Sequence, residues 1–176
     1  ENCLLLTDIS NDRQLDKITY QSSDFSNCDL IGIELDNLDL KNFIFTGSNL
    51  SGSYFYGSNL ENVDFTNATL YGVNFGATNL ENADFTNAKL DGSSFRDSNL
   101  ENADFTNAKL KNVNLYKSNL INTDFTNADA TNANFCGAYL AYMKFDNTIF
   151  RNTDLHNAEL MFADLSTSIF ENTNFV

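Results

Sequence analysis

From Phe25 to Phe175, every fifth residue is Phe or Leu, and only Ala130 departs from that frame. A period of five fits neither the 3.6-residue turn of a helix nor the two-residue alternation of a strand. Each group of five must therefore hold a short extended piece and a change of direction. The residue two before each large one is also selected. It is mostly small, as at Ser58, Val73, Thr78, Ala83, Ala103 and Ala163. Residues two apart on an extended segment point the same way. A large and a small side chain thus face inward together from each pentad. The two residues after the large one are polar and rich in Asn and Gly, as in Glu81-Asn82, Thr86-Asn87 and Asp91-Gly92. Asn and Gly accept corner conformations that other residues resist.

The number of sides follows from a longer repeat. The segment Asp-Phe-Thr-Asn-Ala occurs at 64–68, 84–88, 104–108 and 124–128, a spacing of 20 residues. Sorting the large residues at that spacing yields uniform columns. One runs Phe25, Phe45, Phe65, Phe85, Phe105, Phe125, Phe145, and another runs Leu40, Leu60, Leu80, Leu100, Leu120, Leu140, Leu160. Three sides per coil would alternate Phe over Leu. In-register parallel strands favour like over like, so four pentads make one coil. The predicted fold is all-β: a right-handed, four-sided parallel β-helix of about eight coils, roughly 37 Å long. Proline is absent from the 176 residues. A chain that needs its backbone N–H groups for a continuous ladder excludes it.

These features resemble the pentapeptide-repeat protein family, whose motif is a small residue, then Asp or Asn, then Leu or Phe, then two variable residues. Ala83-Asp84-Phe85, Ala103-Asp104-Phe105, Ala133-Asn134-Phe135 and Ala163-Asp164-Leu165 match it. The resemblance covers residues 23 to 176. Leu38 and Phe43 are too large for the small inward site, and Tyr139 and Lys144 replace Asp or Asn; these predict local changes in coil shape. Residues 1–22 break the frame and are read as an N-terminal cap, with a short helix from Ser10 through Lys17 as one form of it.

The formal net charge is −14 and the pI near 4.1. Nucleic acid and anionic membranes are therefore poor direct partners, and a basic protein surface is a better one. No apolar run is long enough to span a membrane. The protein is expected to be soluble. The sequence does not specify the compartment; the expected options are the cytoplasm, or the periplasm or thylakoid lumen if Glu1 marks a processed N-terminus. Three cysteines do not imply a disulfide framework. Cys28 occupies a small inward site and reads as an inert core thiol, with pairing to Cys3 as the alternative. Cys136 and the single histidine, His156, point outward.

No Gly-rich phosphate loop, zinc spacing or acid/base pocket is present, and a filled solenoid has no cleft. The expectation is a protein that is not an enzyme and carries no cofactor or metal. Two outward features stand out. Glu61, Glu81 and Glu101 form a column, and Asp64, Asp84, Asp104 and Asp124 form another around the neighbouring edge. Flat ladders do not converge their oxygens as a calcium site requires. Asp at this position can instead bond nearby backbone N–H groups. Outward apolar residues collect in the last coils: Tyr139, Tyr142, Ile149, Met161, Phe162 and Ile169, with Phe170 and Phe175 on the final turn. Upstream, the outward apolar set is Ile44, Tyr54, Tyr56, Tyr71, Tyr116 and Ile121. An exposed apolar end signals an interface, and a C-terminal end-to-end homodimer is expected.

The leading functional expectation is a protein-interaction scaffold or binding module whose partner is not specified. The resemblance implies an alternative, because some family members imitate DNA and act on DNA gyrase, with C-terminal dimerisation. Such members carry loops that interrupt the coils, and this chain has no insertion between residues 25 and 175. A third reading, an ice-binding or surface-stabilising protein, rests on the outward column Thr46, Thr66, Thr86, Thr106, Thr126. Its neighbours are Asp and Asn, and threonine at a strand end is ordinary.

Overall fold

The computed structural model describes residues 23–175. Within them the chain forms a right-handed parallel β-helix with four sides per coil. The residue before each large one bridges to its equivalent 20 residues on, as in Asp24↔Ile44↔Asp64↔Asp84↔Asp104↔Asp124. The bridging is all parallel and in one register. It lengthens into strands only near the C-terminus, where β1 (Ile149–Arg151) pairs in parallel with β2 (Ile169–Glu171). The predicted cap at 1–22 lies outside the described residues.

Each side is held the same way. The large residue's N–H donates to the coil that follows, as Phe85 N to Asp104 O at 2.7 Å, while Asp84 N donates back to Val63 O at 3.0 Å. The corner closes with a turn bond, such as Ala88 N to Phe85 O at 2.9 Å. Its second residue must then take a positive φ, the signature of a type II turn. From Asn27 to Asn172 the second corner residues do so, with φ between 51° and 77°, save at Thr167. Asn and Gly fill most of these positions because they enter the left-handed region at least cost.

The interior is filled by the large-small pairs. Phe45, Phe65, Phe85 and Phe105 are fully buried and stack, their centroids 5.3, 5.2 and 4.7 Å apart in turn. A second stack, Phe55-Phe75-Phe95, meets the first edge-on. The small sites do more than save space. Ser48, Ser58 and Ser93 are buried, and their hydroxyls donate to Phe25 O, Leu35 O and Leu70 O, each at 2.6 Å. Each hydroxyl thus stitches its coil to a carbonyl of the preceding one. Among the described residues no buried side-chain polar atom lacks a partner.

The oversized residues are absorbed. Leu38 and Phe43 are buried, and the bridges beside them, Asp39↔Asn59 and Ile44↔Asp64, keep register. Phe43 wedges beside the stack, and the Phe25-Phe45 spacing opens to 5.8 Å. Cys28 is corrected: it is buried as expected, but its sulfur is disulfide-bonded and not an inert thiol. Cys136 is free. Cys3 lies outside the described residues.

Ala130 has a counterpart one coil on. Its column runs Leu110, Ala130, Phe150. The Phe150 ring takes up space near Phe135 and Phe145, at 5.8 and 5.2 Å, and the Phe125-Phe145 spacing widens to 6.4 Å. Ala130→Leu should therefore overpack this level and cost about 1–3 kcal/mol. Adding Phe150→Leu should recover part of that loss. The urea midpoints of the two single variants and the double variant check it, and strict additivity would refute the compensation.

Candidate interaction surface

The interior is packed, so the candidate site is built from outward columns. The aspartate column is the more occupied one. Asp64, Asp84, Asp104 and Asp124 are half-buried, and one oxygen of each accepts the N–H of Thr66, Thr86, Thr106 or Thr126 at 2.7–2.9 Å. This is the local turn bonding that Asp offers at such positions. Asp64 also accepts Thr46 Oγ1, and Asp124 accepts Lys144 Nζ at 3.0 Å. Lys144, which stands where the motif has Asp or Asn, therefore neutralises one end of the column.

Burial pulls the Asp124 carboxyl upward. The Thr126 hydroxyl and N–H and the Lys144 ammonium pull it down, and the net position is below the ordinary carboxylate range. Asp64 is lowered likewise, burial being outweighed by Thr66 and Thr46. A folded-state pKa depressed in this way stabilises the fold above the ordinary carboxylate value. That contribution is lost as pH falls through the folded value. Lys144→Ala removes one of the downward pulls at Asp124, so acid unfolding should begin at a higher pH. The shift is small because the pair is exposed. Ellipticity followed through an acid titration measures it; an unchanged midpoint would mean the pair contributes nothing.

The glutamate column has a different setting. Glu61, Glu81 and Glu101 are half-buried at one corner. Glu61 pairs with Lys41 at 2.8 Å, whereas among the described residues no ion pair reaches Glu81 or Glu101. Amide ladders flank the column on both sides. Asn79, Asn99 and Asn119 each donate through Nδ2 to the Oδ1 of the Asn one coil earlier, at 2.9–3.1 Å. On the other flank Asn62, Asn82 and Asn122 do the same at 2.9–3.3 Å.

Both ladders stop at the same level. After Asn119 the column continues with Tyr139, and after Asn122 with Tyr142 and Phe162; the glutamate column continues with Ile121, Ala141 and Met161. One edge of the solenoid thus changes from amide and carboxylate to aromatic and aliphatic. Tyr139 is 47% exposed, Tyr142 54%, Met161 60% and Phe162 70%. The Tyr142 and Phe162 rings stack on each other at 5.0 Å. Both occupy corner positions with φ 59°, where a bulky side chain costs roughly 1–2 kcal/mol. Asn occupies the same column position at five earlier coils without that cost.

The other residues expected at the C-terminal surface divide. Ile169 and Phe175 are exposed, Ile149 is half-buried, and Phe170 is half-buried through stacking on Phe150 at 5.1 Å. Ile31, 62% exposed, also belongs to the outward apolar set; in the sequence it is hidden between the inward Leu30 and Ile33. The switch of the whole edge was also missed. Its signal is present in the 20-residue columns, but only when three adjacent columns are compared at the same coil.

Comparison with known proteins agrees with this architecture. A family model described as a pentapeptide repeat region matches residues 18–95 and again 98–175, and one for eight copies of the repeat matches 78–115. The chain belongs to the pentapeptide-repeat family. Among solved structures it is similar to the pentapeptide-repeat protein Rfr23 from the cyanobacterium Cyanothece 51142, at 20% identity over 94% of this chain and 99% of that one, TM-score 0.48. It is also similar to QnrB1, a plasmid-mediated fluoroquinolone resistance protein, at 22% identity over 85% and 92%, TM-score 0.47. A third is HetL, involved in heterocyst differentiation regulation in the cyanobacterium Nostoc sp. strain PCC 7120, at 22% identity over 91% and 92%, TM-score 0.34. Among curated proteins none matches. Among the described residues no helix is long and apolar enough to cross a membrane, and no cluster of His, Cys, Asp and Glu suits a metal ion.

Proposed function

We propose that this pentapeptide-repeat protein is a non-catalytic interaction scaffold that binds another protein through its outer faces. One observation carries the reading. The core is a filled stack held in a single register, so each outward side chain is displayed at a fixed place on a rigid surface. Such a surface suits recognition of a partner better than enclosure of a small substrate. The test is capture from extracts of the source organism with the whole chain as bait. Retention of a defined protein, released by free chain in competition, supports the reading; failure to retain any protein specifically would sink it. On the exposed Phe175 and half-buried Phe170, we also propose end-to-end pairing with a second copy, which a monomeric mass by light scattering at high concentration would disprove.

Regulation of DNA gyrase by DNA mimicry is the second reading, and the stacked carboxylates favour it. Against it, the aspartates are committed to backbone N–H groups, and Lys144 breaks their column. A supercoiling assay with purified gyrase decides: neither inhibition nor protection at micromolar protein removes this reading.

A further inference from the structure

The geometry points to one edge of the solenoid, where the glutamate column runs into the Tyr142-Phe162 stack, as a docking strip for a linear protein segment carrying an apolar anchor and, a few residues away, basic side chains. This rests on the scaffold reading and names the partner chemistry it requires. The anchor site is the exposed corner of Tyr139, Tyr142, Met161 and Phe162. Aromatic rings with an adaptable methionine beside them are typical of surfaces that seat an apolar side chain. The residues here are also costly where they stand: Tyr142 and Phe162 hold left-handed corners that asparagine fills elsewhere in the column. A role in stability would favour Asn, which also extends the amide ladder.

Charge selects the occupant. Glu81 and Glu101 lie on the same edge and have no cation among the described residues. At ~4.8 Å per coil, Glu101 is about 14 Å from Met161 along the axis. An extended segment covers that distance in about four or five residues. A segment with its anchor on Phe162 therefore places its basic residues over the glutamates. A second copy of this chain fits less well, because it brings its own acidic edge and a net charge of −14.

The test uses the whole chain and a fluorescein-labelled peptide in which a Leu-Phe pair and three arginines are joined by a short glycine-serine linker. A saturable anisotropy rise at micromolar protein is expected. Tyr142→Asn with Phe162→Asn should weaken binding at least tenfold. Glu81→Gln with Glu101→Gln should weaken it severalfold and flatten its dependence on salt. The asparagine variant restores the residue used elsewhere in the column, so its urea midpoint should be equal or higher, which separates lost binding from lost folding. Three results would overturn the proposal. They are no saturable binding to the unmodified chain, undiminished binding to the asparagine variant, or equal binding of a peptide without the Leu-Phe pair. A fourth is a dimer that the asparagine substitutions turn monomeric while the peptide fails to bind, since a second copy would then be the occupant. If the peptide fails yet protein partners are still captured by the asparagine variant, this strip is refuted and the scaffold reading stands; a chain that captures nothing loses both.

Discussion

Phe85→Ala should cost about 3–5 kcal/mol, among the largest losses available from a single truncation in this chain. Phe85 is fully buried. It stacks on Phe65 at 5.2 Å and Phe105 at 4.7 Å, and meets Phe75 and Phe95 edge-on at 6.0 and 5.6 Å. Removing the ring leaves a void walled by other rings. Those rings are tied to a backbone bonded in both directions, so they cannot collapse into it. Phe170→Ala is the internal comparison. Phe170 is half-buried and stacks only on Phe150 while tilting against Phe175, so its loss should be clearly smaller. The shifts in guanidinium midpoint followed by circular dichroism measure both. Equal shifts would mean that position along the axis does not matter, contrary to a core shared between neighbouring coils.

The second large effect involves no buried side chain. Lys89 is exposed, but its N–H donates to Ala68 O at 3.0 Å and its carbonyl accepts Leu70 N at 2.7 Å. Lys89→Pro removes the donor and leaves Ala68 O without it, which alone costs about 1–3 kcal/mol, and the proline ring adds steric conflict within the ladder. A total near the top of that range is expected. Lys89→Ala keeps the N–H and should stay within about 0.5 kcal/mol of the parent. Their difference in urea midpoint isolates the backbone bond. A tolerated proline would show that the absence of proline from this chain has some cause other than the ladder.

Much of this fold was legible because its repeat is short and its frame unbroken. The four sides follow from Asp-Phe-Thr-Asn-Ala at 20-residue intervals, and the bridges from Asp64 to Asp124 have that register. The turn bonds to the aspartates were legible too, since Asp offers them from any such corner. What escaped depends on distance across the core or on comparison between columns. Ala130 is a plain exception in the sequence; its link to Phe150 exists only because a ring one coil on takes up space at that level. The serines at small inward sites read as merely small, while their hydroxyls bind carbonyls of the preceding coil. Tyr142 and Phe162 read as apolar residues near one end. Their left-handed backbone and mutual stacking, which set them apart from Phe175, are visible only in three dimensions.

The ladder bonds lie along the solenoid axis, joining each coil to the next. Tension applied along that axis opens them one coil at a time instead of shearing many at once. A chain held by its two ends should therefore yield at low force as an unzipping seam. Each step would free roughly 65 Å of extended chain from one 20-residue coil. Load applied across the coils meets the side-chain stack broadside, so the same molecule would be soft as a tether and stiff as a plank.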